Sequence, residues 1–383
     1  MPKAKILQVA AIDTTIHFLL RPLIDHLQQS DYDVHIACSA GPHTQKLKES
    51  GYQLHSVPIA RRILSVSHPI SVWKLYKLIK QEQFDVVHVH TPVASILGRI
   101  AAKLAGVRHI IYTAHGFYFH DQMASWKRRI LILIEKFFGR CCTDWLWTVS
   151  QEDMDTAIEE RIVKSKDHID CLNSIGVNVE KFQNIQPSEQ LQKDFGIEKR
   201  PVIGFVGRLV REKGIFELIQ AMALVKESLP EAKLLIIGDN LQGDRDSVKD
   251  QIEQLLDTHD LHETIIFAGL QEDIPGMMAL MNVFTLPSYR EGMPVVTLEA
   301  MASHLPVVAT DIRGCREEVV DGVTGLIVPV KNIKGLAKAL IELLKNPSKA
   351  KQMGEAGYRR ARDVFDEKII LKKQSDHYDR LVQ

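Results

Sequence analysis

Five short, almost wholly apolar runs punctuate the first half of this chain: Ile6–Val9, Val34–Cys38, Val86–Val89, His109–Tyr112 and Trp145–Val149. A strand with one face in water alternates apolar and polar residues, whereas a strand covered on both faces does not. These runs are therefore expected to be strands of a buried parallel sheet. Helical periodicity fills the spaces between them, at His17–Gln29, Ile70–Gln81, Ala94–Ala105 and Trp126–Phe138. Strand and helix in strict succession predict a doubly wound α/β domain.

The pattern halts at residues 184–200, a polar stretch read as a linker, and then restarts. Strands are predicted at Val202–Val206, Leu234–Ile237, Ile265–Ala268, Val283–Leu286, Val307–Ala309 and Gly325–Val328. Helices are predicted at Gly214–Ser228, Ser247–Thr258, Val295–Ala302 and Ile333–Leu344. The reading is thus a first domain at 1–183, a second at 201–364, and a C-terminal helix at 365–383 packing back on the first. Two cores suit a chain of 383 residues. Two facing sheets of this kind leave a central cleft at the carboxyl ends of their strands, where open α/β folds bind ligands.

Forty-eight basic residues balance forty-eight acidic ones, so no basic excess marks a nucleic-acid binder. The five cysteines are odd in number and form no CxxC pair, which argues against a disulfide framework or a zinc site. The residues after Met1 lack the pattern of a secretory signal, and no run reaches the roughly eighteen apolar residues of a membrane span. A cytoplasmic protein is expected, with at most a peripheral place on the inner face of the membrane.

Two segments of the second domain carry chemistry. Gly204-Phe-Val-Gly207-Arg208 ends a strand, and Lys213-Gly214 opens a helix. Glycine lets a ligand approach the backbone, and two cations at a helix N-terminus suit a diphosphate. Read alone, the segment is equally a surface loop with solvated charges. The second segment runs from Pro287 through Glu291, Gly292, Met293, Pro294 and Val295 to Glu299 and Ala302. Glu291 falls in a turn and Glu299 inside an apolar helix, where a carboxylate needs partners. Carboxylates accept hydrogen bonds from vicinal hydroxyls, and the amides between Gly292 and Val296 are expected to meet phosphate or sugar oxygens at the helix start.

These residues resemble the large retaining glycosyltransferase family four, whose two Rossmann-like domains form the GT-B fold. The family's E-x7-E motif stands as Glu291 and Glu299, and its diphosphate-binding pair as Arg208 and Lys213. Pro306–Thr310, Glu317 and Gly322–Gly325 also fit. The resemblance implies that Glu299 holds the ribose hydroxyls, that Glu291 holds the donor sugar, and that the loop around Leu270 meets the base. Tyr112-Thr-Ala-His115-Gly116 matches the family's cleft histidine, which makes His115 the residue beside the donor sugar. The family's glycine pair after the first strand is replaced by Ala10-Ala11-Ile12-Asp13-Thr14-Thr15, so Asp13, Thr14 and Thr15 are candidate donor or acceptor contacts. The glycine that usually follows the E-x7-E helix is His304.

The implied reaction moves a hexosyl group from a nucleoside diphosphate sugar, UDP-linked by resemblance, to a glycan or lipid-linked acceptor in polysaccharide or glycoconjugate synthesis. Arg208 and Lys213 supply positive charge for the leaving diphosphate, so no metal or other cofactor is expected. Asp244-Arg245-Asp246 copies a metal-binding pattern of another glycosyltransferase fold but sits in a polar loop. Trp126 to Arg140 alternates basic, apolar and aromatic residues and is a candidate for an anionic membrane surface, which Arg61, Arg62, Ile63 and Leu64 extend. The other reading of Ile130–Ile134 is ordinary packing on the sheet. A nucleotide-sugar epimerase and a non-catalytic nucleotide-sugar-binding module stay open as alternatives. A nicotinamide dehydrogenase does not, since no GxGxxG follows the first strand.

Overall fold

A computed structural model of the protein describes residues 2–62, 65–119, 123–240 and 248–382. Ile63, Leu64, the Asp244-Arg245-Asp246 triplet and Ser247 lie outside the described residues. The chain forms two compact units, Met1–Ile175 with Lys368–Gln383, and Gly176–Glu367. The division therefore falls between Ile175 and Gly176, not in the stretch 184–200. That stretch belongs to the second unit and carries a short helix, Glu189–Asp194, capped by Ser188. Polarity misled the reading here: the stretch is domain surface. The second unit is closed earlier, where Val177 pairs with Asp366 and Asn178 donates to Glu367.

In the first unit seven strands form one parallel sheet: β1 (Lys5–Ile12), β2 (Asp33–Ser39), β3 (Gln53–Ser56), β4 (Val86–His90), β5 (His109–Ala114), β6 (Trp145–Thr148) and β7 (Ile169–Cys171). Their order is β3-β2-β1-β4-β5-β6-β7. The sequence reading missed β3 and β7 because both are edge strands. Only Leu54 of β3 is buried, and β7 is just three residues long, too short for a readable apolar run. Each sheet face has its own core. Leu7, Val9, Val87 and Val89 lie in one, and Ile6, Ala10, Val86, Ile111 and Trp147 in the other. The C-terminal helix Glu367–Val382 seals the second face with Ile370, Tyr378 and Leu381.

β1 runs directly into a helix. Asp13–Thr15 form its first turn, a π-helical turn follows at Ile16–Leu20, and Arg21–Gln29 continues it. Asp13, Thr14 and Thr15 are thus helical, not part of an irregular loop. The helix Ser125–Cys142 buries Ile132, Glu135 and Gly139, while Trp126, Ile130, Leu133 and Phe137 are exposed. Of the Ile130–Ile134 run, only Ile132 is fully packed inward. Glu135 anchors the helix through a buried ion pair at 3.1 Å to Arg99, whose guanidinium lies over the Tyr112 ring.

The second unit holds β8 (Val202–Val206), β9 (Lys233–Ile237), β10 (Ile265–Gly269), β11 (Val283–Leu286), β12 (Val307–Thr310) and β13 (Gly325–Val328), all parallel, in the order β10-β9-β8-β11-β12-β13. Chain order reverses between β8 and β11. That reversal opens a crevice at the carboxyl ends of these two strands. Both motif segments leave the sheet there.

Candidate active site

Gly207 and Arg208 follow β8, and the residues 287–294 follow β11, so the sheet reversal brings the two segments together. Lys213 ends a short 3-10 turn, Arg211–Lys213, and Gly214 opens the helix Ile215–Ser228 at φ 71°. A Cβ at Gly214 would collide with the Pro287 carbonyl, so only glycine allows the two segments to sit this close. The contact is consummated by side chains: Lys213 Nζ donates to Glu291 Oε1 at 2.5 Å, and Ser288 Oγ donates to the same oxygen at 2.7 Å. Tyr289 adds a backbone bond to Glu212 and a hydroxyl bond to Glu217. Arg208 is half-buried two residues past the end of β8.

The helix Val295–Ala302 begins at Pro294 with no side-chain cap. Its first amides have no intrahelical partner, which leaves a site for anionic oxygens. Met293 and Pro294 are buried, and Gly292 and Val295 are half-buried. Glu299 lies one turn from the helix end, and its carboxyl makes no hydrogen bond among the described residues. Burial raises it to about 7, opposed by Lys181. Leu270 follows β10 and is 69% exposed, an apolar surface open to a flat ring. His304 takes the left-handed conformation at φ 58°, stacks on Tyr358 at 4.0 Å and meets Glu355.

Sequence reasoning missed Glu318. It is fully buried close to Glu291 and the Thr297 hydroxyl, and burial pushes it well above the carboxylate range. Its signal was the doubled glutamate at 317–318, of which Glu317 proved the half-exposed member.

In the first unit His115 follows β5. Its Nε2 lies 3.0 Å from His90 Nδ1, and burial lowers its pKa to about 4. Asp13 ties down the segment after β2: its buried carboxylate accepts from the His43 amide at 2.8 Å and the Thr44 hydroxyl at 2.9 Å. Thr14 and Thr15 are half-buried.

Among the described residues no helix is long and apolar enough to cross a membrane. Residues 187–360 match the family of glycosyl transferases group 1, and residues 5–137 match the glycosyl transferase 4-like family. The capsular polysaccharide biosynthesis glycosyltransferase CapM of Staphylococcus aureus is 30% identical, covering 99% of this chain and 98% of its own. An Escherichia coli UDP-Gal:alpha-D-GlcNAc-diphosphoundecaprenol alpha-1,3-galactosyltransferase is 30% identical over 85% of this chain and 87% of its own. The crystal structure of Anabaena Alr3699/HepE in complex with UDP and glucose has the same fold, with a TM-score of 0.83 at 21% identity, covering 98% of this chain and 100% of that one. The chain therefore belongs to the group 1, family-four glycosyltransferases of the GT-B fold.

Proposed function

We propose that the protein transfers a hexosyl group from a UDP-sugar to a glycan or lipid-linked acceptor of polysaccharide or glycoconjugate synthesis, with retention of configuration. The observation that carries this is the Lys213–Glu291 pair at the sheet reversal, just ahead in the chain of the uncapped helix that bears Glu299. Two cations and free amides suit a diphosphate, and Glu299 suits a ribose diol. Leu270 would meet the base, and His115 a hydroxyl of the sugar. In the step, the bond from the anomeric carbon to the phosphate oxygen breaks. The acceptor oxygen bonds to the same face of that carbon, and its proton passes to the departing phosphate oxygen. Arg208, Lys213 and the helix N-terminus stabilise the leaving charge. The names of the E. coli and Anabaena proteins support UDP as the nucleotide, and that of the E. coli protein supports a lipid-linked acceptor.

The cations are proposed to replace a metal. Calorimetry with UDP should give equal affinity with and without EDTA. Binding abolished by the chelator would overturn the metal-free reading.

We also propose that the first unit docks on an anionic membrane. Trp126, Ile130, Leu133 and Phe137 share one exposed helical stripe, bordered by Lys127, Arg129, Lys136 and Arg140. Arg140 also lines a cavity of about 370 Å³ with Arg161, Lys164 and Lys166. Pelleting with anionic vesicles should weaken as salt rises. Equal pelleting with neutral vesicles, or none with either, would reject electrostatic docking.

A further inference from the structure

The sealed face of the first sheet carries an unbroken line of polar side chains inside an apolar core. His115 Nε2 meets His90 Nδ1 at 3.0 Å, and His90 Nε2 meets Gln8 Oε1 at 2.8 Å. Gln8 Nε2 donates to the Tyr378 hydroxyl at 3.0 Å, which lies 2.5 Å from His88 Nδ1. His88 Nε2 ends the line at Thr113 Oγ1, 2.6 Å away. Gln8, His88, His90 and Tyr378 are all essentially inaccessible. β1, β4 and β5 supply Gln8, His88, His90 and Thr113, His115 directly follows β5, and Tyr378 comes from the C-terminal helix.

A neutral imidazole donates with one nitrogen and accepts with the other, so in such a line one link sets all the rest. The Gln8 carbonyl oxygen only accepts, hence His90 is protonated at Nε2 and its Nδ1 accepts. His115 must then donate from Nε2. The other end agrees. The phenol of Tyr378 is a stronger acid than an imidazole N–H, and an imidazole nitrogen is the better acceptor, so the short link runs from Tyr378 to His88. That leaves His115 Nδ1 as a bare lone pair with no partner among the described residues. Burial holds all three histidines below their ordinary range, so the line is uncharged at neutral pH.

We propose that Gln8, His90 and Tyr378 are positioning residues that hold His115 as its Nε2–H tautomer, so that Nδ1 accepts a hydrogen bond from a ligand hydroxyl and repels a phosphate oxygen. That the hydroxyl belongs to a sugar rests on the transfer reaction proposed above; the tautomer does not.

Long-range proton–nitrogen correlation spectra of histidine-labelled protein read the tautomer directly, with His115 assigned by its loss in His115→Gln. The Nε2–H pattern is expected in the parent. It should become mixed in Gln8→Met and, more weakly, in Tyr378→Phe. In transfer assays Gln8→Met should lower kcat about 10-fold or more with donor KM within about 2-fold. An Nδ1–H pattern in the parent, or an unchanged pattern in Gln8→Met, overturns the proposal. So does a shifted tautomer with parental kcat. A parent inactive with every donor would count against the transfer reaction, and the spectra would still decide the tautomer.

Discussion

Glu299 joins the chemistry of the site to the stability of its unit. Its carboxyl titrates near 7 in the folded chain against an ordinary value of 4.5, because burial penalises the charge. The native state therefore binds more protons than the unfolded state between those values. The stabilising contribution is present below about 4.5 and is lost as pH rises to about 7; Glu318 acts in the same direction. Glu299→Gln should flatten this decline and stabilise the ligand-free protein by about 1–2 kcal/mol at pH 8, read by denaturant titration. A sugar nucleotide that needs the ionised carboxylate should bind more tightly at pH 8 than at pH 6. Glu299→Ala should weaken nucleotide binding by about 1–3 kcal/mol, and parental affinity would remove the ribose assignment. The Lys213 link changes the expectation for Glu291. Glu291→Ala should lower turnover more than nucleotide affinity, because Lys213 is released toward the diphosphate as the sugar contact is lost. The Lys213–Glu291 pairing was not legible in the sequence, since residue spacing does not reveal which charged groups share a crevice, and the doubled glutamate at 317–318 did not say which member is buried.

At the scale of elements, the helix Ser125–Cys142 has a packed face and an exposed apolar face. Its inner face rests on the Glu135–Arg99 pair, both partners buried. Glu135→Ala would leave an uncompensated buried cation, and a loss of about 3–5 kcal/mol is expected in thermal or denaturant unfolding. On the outer face, Phe137→Glu should abolish vesicle binding and leave unfolding unchanged, because that side chain is 60% exposed. The composition of Trp126–Arg140 announced an amphipathic helix. It did not say which apolar residues face outward, because that depends on where the neighbouring helix Pro92–Ala105 and Ile162 press against it. His304 is a similar case. A left-handed residue other than glycine costs on the order of 1 kcal/mol, and the stack on Tyr358 offsets it. His304→Ala should therefore destabilise by about 1 kcal/mol, whereas His304→Gly should be close to neutral.

For the molecule as a whole, the two ends of the chain meet in one unit. Ile370, Tyr378 and Leu381 close a sheet face that starts at β1, and Lys3 and Tyr32 both bond to Asp379. Removing residues 368–383 should unfold or severely destabilise the first unit, at about 1.5–3 kcal/mol for each of those three buried side chains. Calorimetry should show its transition lost or lowered while that of Gly176–Glu367 persists. Near-continuous apolar runs, glycines at strand ends and the spacing of Glu291 and Glu299 determined the α/β class, most strands of both sheets and the segments that carry the candidate site. Those features are local, because a strand buried on both faces must be apolar wherever it is placed. Tertiary structure alone decided the boundary at Ile175, the engagement of Asp13 with Thr44, and the line from His115 through Gln8 to Tyr378. In the sequence His88 and His90 stand out only as polar residues in an apolar strand. Their partners lie up to 290 positions away, and only the order of strands and the return of the last helix brings them within hydrogen-bonding distance.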